Sequence, residues 1–207
     1  MDQYVDVTNN IHDEDVNFIK AFKAGDKSAF DKLVLKYQDR IFNLCFRFLG
    51  DHEETNDCAQ EIFLKIFQAL KKFRFESTFF TWLYRITINT CETRSKSLEH
   101  RHRKRTVSID NPGPKGNPNP SMNIIDNCSS PIEKLEQKER KTLIQDAINS
   151  LSSDHKTVII LRDIEQLSYE EIAITIGFDL GTVKSRLSRA RIELRKKLER
   201  VVGNGMF

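Results

Sequence analysis

The feature that most constrains this chain is a break in its periodicity. From Leu98 to about Ser130 apolar residues stop recurring at helical steps, and HRHRKR gives way to DNPGPKGNPNPSMN, which holds four of the five prolines. Proline lacks an amide donor and disfavours helix in the residue before it, so such a stretch reads as a linker. On either side the sequence is helically periodic. An all-α chain is therefore expected: two small helical domains joined by a flexible linker, with a tail at 1–12, a first domain at 13–97, the linker at 98–130 and a second domain at 131–207.

Helix boundaries in the first domain can be read from caps. A helix from Asp13 should stop at Gly25, and a second, capped by Asp26, should run to Gly50. Within it Phe30, Leu33, Val34, Tyr37, Ile41, Leu44 and Cys45 share one face, which must be buried. A third helix from about His52 to Phe73 carries Ala59, Ile62, Phe63, Ile66, Phe67 and Leu70 as its stripe. A fourth starts near Thr78 with Phe79, Phe80, Trp82, Leu83 and Ile86, then turns polar and basic. In the second domain, helices are expected near Ile132–Asn149, Asp154–Ile164, Ser168–Ile176 and Asp179–Val201.

Charge and cysteine content exclude several classes. The start, MDQYVDVTNNIHDED, is acidic and polar, and the chain has no run of roughly 18 apolar residues, so neither secretion nor membrane insertion is indicated and a cytoplasmic protein is expected. The formal charge of +3 is weak evidence for a nucleic-acid partner by itself. Four widely spaced cysteines form no CxxC pair, which argues against a zinc ribbon. Cys45 and Cys91 read as small buried hydrophobes, and Cys58 and Cys128 as exposed thiols. No metal or other cofactor is expected.

The C-terminal segment carries the clearest motif. Ser168-Tyr-Glu-Glu171 is a capping box, Gly177 follows at a turn, and Ile172, Ala173, Ile176, Val183 and Leu187 supply the apolar positions of a helix-turn-helix. The final helix is strongly basic where the helices before it are acidic, as attraction to phosphate requires. Turning Val183, Leu187, Ala190 and Leu194 inward points Thr182, Ser185, Ser188 and Arg189 outward, towards base edges. Lys184, Arg186 and Arg191 project from the flanks, where phosphates lie.

The first domain offers no strands, unlike a receiver or ligand-binding domain. Its FRFESTFFTWLYRITINT combines aromatics with Arg and Asn, the equipment for stacking and reading unpaired bases. Arg74, Glu76, Ser77, Phe79, Arg85 and Asn89 are candidate contacts, although aromatics at helical spacing such as Phe79, Trp82 and Phe63 also suit a core.

Together DCAQEIFLKIFQALKKF, FRFESTFFTWLYRITINT and LSYEEIAITIGFDLGTVKSRLSRARIELRKKL resemble regions 2 and 4 of the extracytoplasmic-function (ECF) group of the sigma-70 family, over about Asn17–Lys96 and Pro131–Lys197. That resemblance implies an RNA polymerase sigma factor, monomeric and non-catalytic, which directs transcription initiation. It implies that Asp57, Gln60, Glu61 and Leu64 dock on the clamp helices of the polymerase largest subunit. The Arg74–Phe79 turn and the Asn89 helix would contact the melted minus-10 element, and the last helix the minus-35 duplex. An anti-sigma protein is implied as a further partner. One departure is that Phe75-Glu76 stands where the family often has glycine before an acid.

Two other classes fit less well. An enzyme could use Asp51, Glu53, Glu54, Asp57 and Glu61, or His100 and His102, as metal ligands, but there is no Glu-x-x-His helix, no nucleophile beside a base and no glycine-rich phosphate loop. A stand-alone helix-turn-helix regulator would bind duplex operators as a symmetric dimer.

Overall fold

The computed structural model describes the backbone of residues 14–106 and 131–203, with side chains for 14–101 and 139–200. The expected tail, residues 107–130 of the expected linker, and Cys128 lie outside these limits. Among the described residues every regular element is a helix. The first half comprises α1 (14–23), α2 (Ser28–Leu49), α3 (His52–Leu70) and α4 (Phe79–Thr106).

Local chemistry sets these boundaries. The Asp26 carboxylate accepts from the Ser28 amide at 2.9 Å and its hydroxyl at 2.7 Å, ahead of α2. Gly50 then stops α2 at φ 73°, a left-handed conformation open to glycine at little cost. Asp51 accepts from the Glu54 amide at 2.9 Å to start α3. The α2 face anticipated from periodicity is buried at Phe30, Leu33, Tyr37, Ile41, Leu44 and Cys45.

Two expectations in this half are corrected. Cys58, expected to be exposed, is fully buried, because the α3 stripe begins one turn earlier than Ile62 and Cys58 shares its face. Helix α4 does not end near residue 97 but continues to Thr106. Lost periodicity there marks the end of an apolar stripe, not of the helix, since Leu, Glu, Arg and Lys are strong helix formers even when solvated.

The second half comprises α5 (Pro131–Asn149), α6 (Ser153–Ile159) with a π-helical continuation at Ile160–Ile164, α7 (Tyr169–Ile176) and α8 (Leu180–Gly203). Ser168 and Glu171 form the reciprocal capping box expected at the start of α7, and Gly177 closes that helix at φ 73°. Val183, Leu187 and Ala190 are buried along α8.

The two halves pack directly on one another. Ile148, Ile160, Leu161, Leu167 and Ile172 of the second half join the apolar cluster built by α1–α4. Polar groups pin the contact. Glu165, delivered by the wider turn of the π-helical segment, accepts from the Tyr84 hydroxyl at 2.6 Å, and Arg40 donates to that hydroxyl at 2.8 Å. Burial, together with the Glu165 carboxylate, pushes the Tyr84 phenol above its ordinary range.

The C-terminal end of α2 is capped by the other half. Lys156, itself buried, donates to the Phe48 carbonyl at 2.5 Å and to Asn149 Oδ1 at 2.8 Å, while Gln145 donates to the Arg47 carbonyl at 2.9 Å. Helix-end carbonyls need such partners wherever water is excluded. Gly50 is required here twice over, because a Cβ at that position would lie 2.9 Å from Asn149 Nδ2.

Candidate nucleic-acid interface

Helix α8 presents a bare polar face. Its buried side is fixed by Val183, Leu187 and Ala190, so Lys184, Ser185, Ser188 and Arg189 are exposed opposite. The start of the helix is held by Asp179, which accepts from the Thr182 amide at 2.8 Å and its hydroxyl at 2.6 Å. Those bonds from Thr182 hold the Asp179 carboxyl below its ordinary range. Thr182 is thus half-buried and committed to the cap, whereas Ser185 donates only to the Thr182 carbonyl, at 3.1 Å.

The basic residues of α8 divide in two. Arg186 pairs with Asp154 at 2.8 Å and lies over the Phe178 ring at 4.0 Å, and Arg191 is bonded to Asp163. Both are aimed by their own domain. Arg189 has no ion-pair partner among the described residues and stands clear in solvent. Its five donors remain available for a bidentate acceptor such as a guanine edge.

The first half brings its candidates together around the turn before α4. Arg74 and Glu76 are highly exposed, 3.9 Å apart. Between them Phe75 adopts φ 59° and leaves 41% of its surface exposed. A bulky side chain in the left-handed region costs roughly 1–2 kcal/mol, so this turn is strained where glycine would be relaxed. The ring is steadied by Phe73, edge-on at 5.0 Å, and by Lys23 at 4.9 Å.

Phe79 is placed differently from its expected role. Only 3% exposed, it packs against Tyr37, Phe73 and Trp82, so its ring cannot meet a base while the core is intact. The exposed ring at this turn is Phe75, which the sequence marked as a departure from the family pattern but not as a contact. The signal was there in the replacement of glycine by an aromatic residue. Phe75 and Ser77 also line a pocket of about 320 Å³ with Asp15, Ile19 and Thr78.

Further along α4, Asn89 is exposed, while Arg85 donates to the Ile174 carbonyl of α7 at 2.5 Å. One minus-10 candidate is therefore occupied by the other half of the molecule. On α3, Asp57, Gln60 and Leu64 are exposed along one side, with Glu61 half-buried among them. Arg94 of α4 reaches across to Glu54 at 2.7 Å, Asp57 at 3.2 Å and Glu61 at 3.5 Å. It organises this acidic patch from the next helix, and no local pattern in the sequence pointed to it.

Residues 33–101 match sigma-70 region 2, and residues 141–194 match sigma-70 region 4. The RNA polymerase sigma-H factor of Pseudomonas aeruginosa is 36% identical over 187 residues, covering 90% of this chain and 95% of that one. The chain belongs to the extracytoplasmic-function group of the sigma-70 family. The ECF RNA polymerase sigma-E factor of Escherichia coli K12 is similar too, at 33% identity over 184 residues, 89% of this chain and 94% of its own.

Two solved structures overlap its fold. CnrH, in complex with the cytosolic domain of CnrY, superposes with a TM-score of 0.64 at 20% identity, covering 90% of this chain and 98% of that one. The sigma factor RpoE of Bartonella quintana, in complex with the anti-sigma factor NepR, gives 0.56 at 24% identity, covering 82% and 96%. At such identities these two establish the all-helical fold alone. As an ECF sigma factor, the chain directs RNA polymerase to promoters, and such factors are non-catalytic subunits. The stand-alone regulator is not favoured, because both sigma regions occur here in order in one chain.

Proposed function

We propose that this sigma factor reads promoters through two separated surfaces and docks on polymerase through a third, with no catalytic step of its own. Ser185, Ser188 and Arg189 meet minus-35 base edges in the major groove, and Lys184, Arg186 and Arg191 hold the flanking phosphates. Thr182 sets the start of the helix and contacts DNA at the rim. The observation that carries this is the bare α8 face, with Arg189 unengaged opposite a fully buried apolar seam.

Arg74, Glu76, Ser77 and Asn89 take the unpaired minus-10 strand, joined by Arg85 when the halves separate and by Phe75 as the stacking ring. Phe79 supports that turn from beneath. Asp57, Gln60, Glu61 and Leu64 dock on the clamp helices of the polymerase largest subunit, with Arg94 spacing the carboxylates. The halves act as the domains 13–97 and 131–207, joined by 98–130, whose first residues continue α4 to Thr106. The factor works as a monomer in the cytoplasm, and a protein of anti-sigma type covers the same surfaces.

Supporting this reading, the α7 carbonyl that holds Arg85 belongs to the half that would bind upstream duplex. Capture of single-stranded bases then accompanies separation of the halves on polymerase. In vitro transcription from a promoter library, with core polymerase and with or without the protein, tests the reading. Sequence-selective initiation only on addition supports it; symmetric operator binding by the protein alone, without initiation, overturns it.

A further inference from the structure

Three cysteines from three helices meet in the core of the first half. Cys45 of α2, Cys58 of α3 and Cys91 of α4 are each fully buried. The Cys91 and Cys45 sulfurs lie 3.6 Å apart, the Cys58 and Cys91 sulfurs 3.9 Å apart, and all three fall within 4.8 Å of one another. Metal–thiolate bonds of about 2.3 Å that diverge by roughly 100–120° set sulfurs about 3.5–4.0 Å apart, the spacing of the two closer pairs.

We propose that Cys45, Cys58 and Cys91 form a trigonal site for one monovalent thiophilic d10 cation, namely copper(I). The ligand set selects the ion. Among the described residues no histidine, carboxylate or further cysteine joins the three sulfurs. The buried hydroxyls one turn away are already committed, Thr55 to the Asp51 carbonyl and Thr87 to the Leu83 carbonyl. Structural zinc sites are almost always tetrahedral, and among the described residues no fourth histidine, cysteine or carboxylate stands within reach. Soft sulfur donors at low coordination number suit copper(I).

Charge and access fit the same ion. Binding releases thiol protons to solvent and leaves a net negative cluster, whose charge on Cys58 is favoured by the Arg94 guanidinium of the neighbouring helix. Because the sulfurs are sealed, loading accompanies folding or a local opening of α4. Helix α3 carries the proposed polymerase face and α4 the proposed single-strand face, so an ion at their junction would clamp both surfaces together.

The test uses the full chain carrying Cys128→Ser, reduced and metal-free, titrated with copper(I) against bicinchoninate and, in parallel, with zinc(II) against a chelator. The expected result is one copper(I) per chain, a copper X-ray absorption spectrum of three sulfurs, and a raised Tm. Cys45→Val, Cys58→Val and Cys91→Ala should each weaken copper by at least ~100-fold while far-UV circular dichroism stays unchanged.

Absence of one-to-one binding, a two-sulfur spectrum, unweakened binding by any of these variants, or zinc held as tightly as copper would overturn the site. Should a variant fail to fold, the spectrum of the loaded parent decides. None of these readouts involves promoter DNA, so their failure leaves the sigma-factor assignment standing.

Discussion

The two proposed DNA-reading surfaces are built on opposite plans. The α8 face rests on a regular helix whose cap, buried seam and flanking arginines are all held within the second half, by Asp179, Val183 and the acids Asp154 and Asp163. The turn before α4 depends on a left-handed Phe75, and Arg85 beyond it is tied to the other half. A helix face is ready for rigid duplex; a strained turn with an occupied arginine is suited to a strand that must first be unpaired. Preorganisation serves the first task and adjustability the second.

The comparison breaks most directly at Arg189. Arg189→Ala should cost ~1–3 kcal/mol of discrimination at one upstream base pair, read as the ratio of transcription from matched and mismatched minus-35 sites, with core binding unchanged. Equal loss of polymerase affinity would show that α8 is not a dedicated reading helix.

At the turn, Phe75→Gly separates strain from function. The ring's contacts with Phe73 and Lys23 are lost but the left-handed backbone relaxes, so the Tm should hold or rise. Minus-10 binding should fall by an amount in the range of one stacked base, ~1–3 kcal/mol. Single-stranded oligonucleotide affinity checks this, and an unchanged value would remove Phe75 from the interface.

A smaller effect sharpens the contrast at the contact between halves. Glu165→Gln keeps the shape of the side chain but weakens its bonds to Tyr84 and Arg40 by about 1 kcal/mol, the difference between a charge-assisted and a neutral hydrogen bond. The distance between fluorophores on the two halves should lengthen in a larger fraction of molecules. An unaltered distribution would mean that the apolar contact alone holds them.

A last prediction concerns pH. Burial lowers the Lys156 ammonium from its ordinary 10.5 to about 8. Between those values the unfolded chain keeps a proton that the folded chain has shed, so stability rises with pH across that window and the burial penalty is full below it. The neutral amine still has two donors for Phe48 and Asn149. Lys156→Met should remove this slope, as measured by the difference in Tm between variant and parent from pH 8 to 10.

Legibility followed the range of the interaction concerned. Ser168 and Glu171 lie three residues apart, so the capping box was readable and appears as expected. The inward seam of α8 was equally local. Phe79 was harder, since helical spacing marked it as apolar without saying whether its ring would face core or strand. The end of α4 was misjudged because periodicity reports a buried stripe, and a solvated helix through Arg101 needs none. Arg94 carried no signal at all, for its meaning lies in three carboxylates on a neighbouring helix.

By itself the sequence determined the helices, their caps, the division into two halves and the outward residues of α8, because each depends on contacts within a turn or two. Only tertiary structure decided that Cys45, Cys58 and Cys91 converge, with Cys91 46 positions after Cys45 and 33 after Cys58. It also decided that Glu165 reaches Tyr84 across 81 residues and Lys156 reaches Phe48 across 108. Such meetings follow from how helices cross and how their apolar faces fill a shared core, and no short stretch of sequence records those angles.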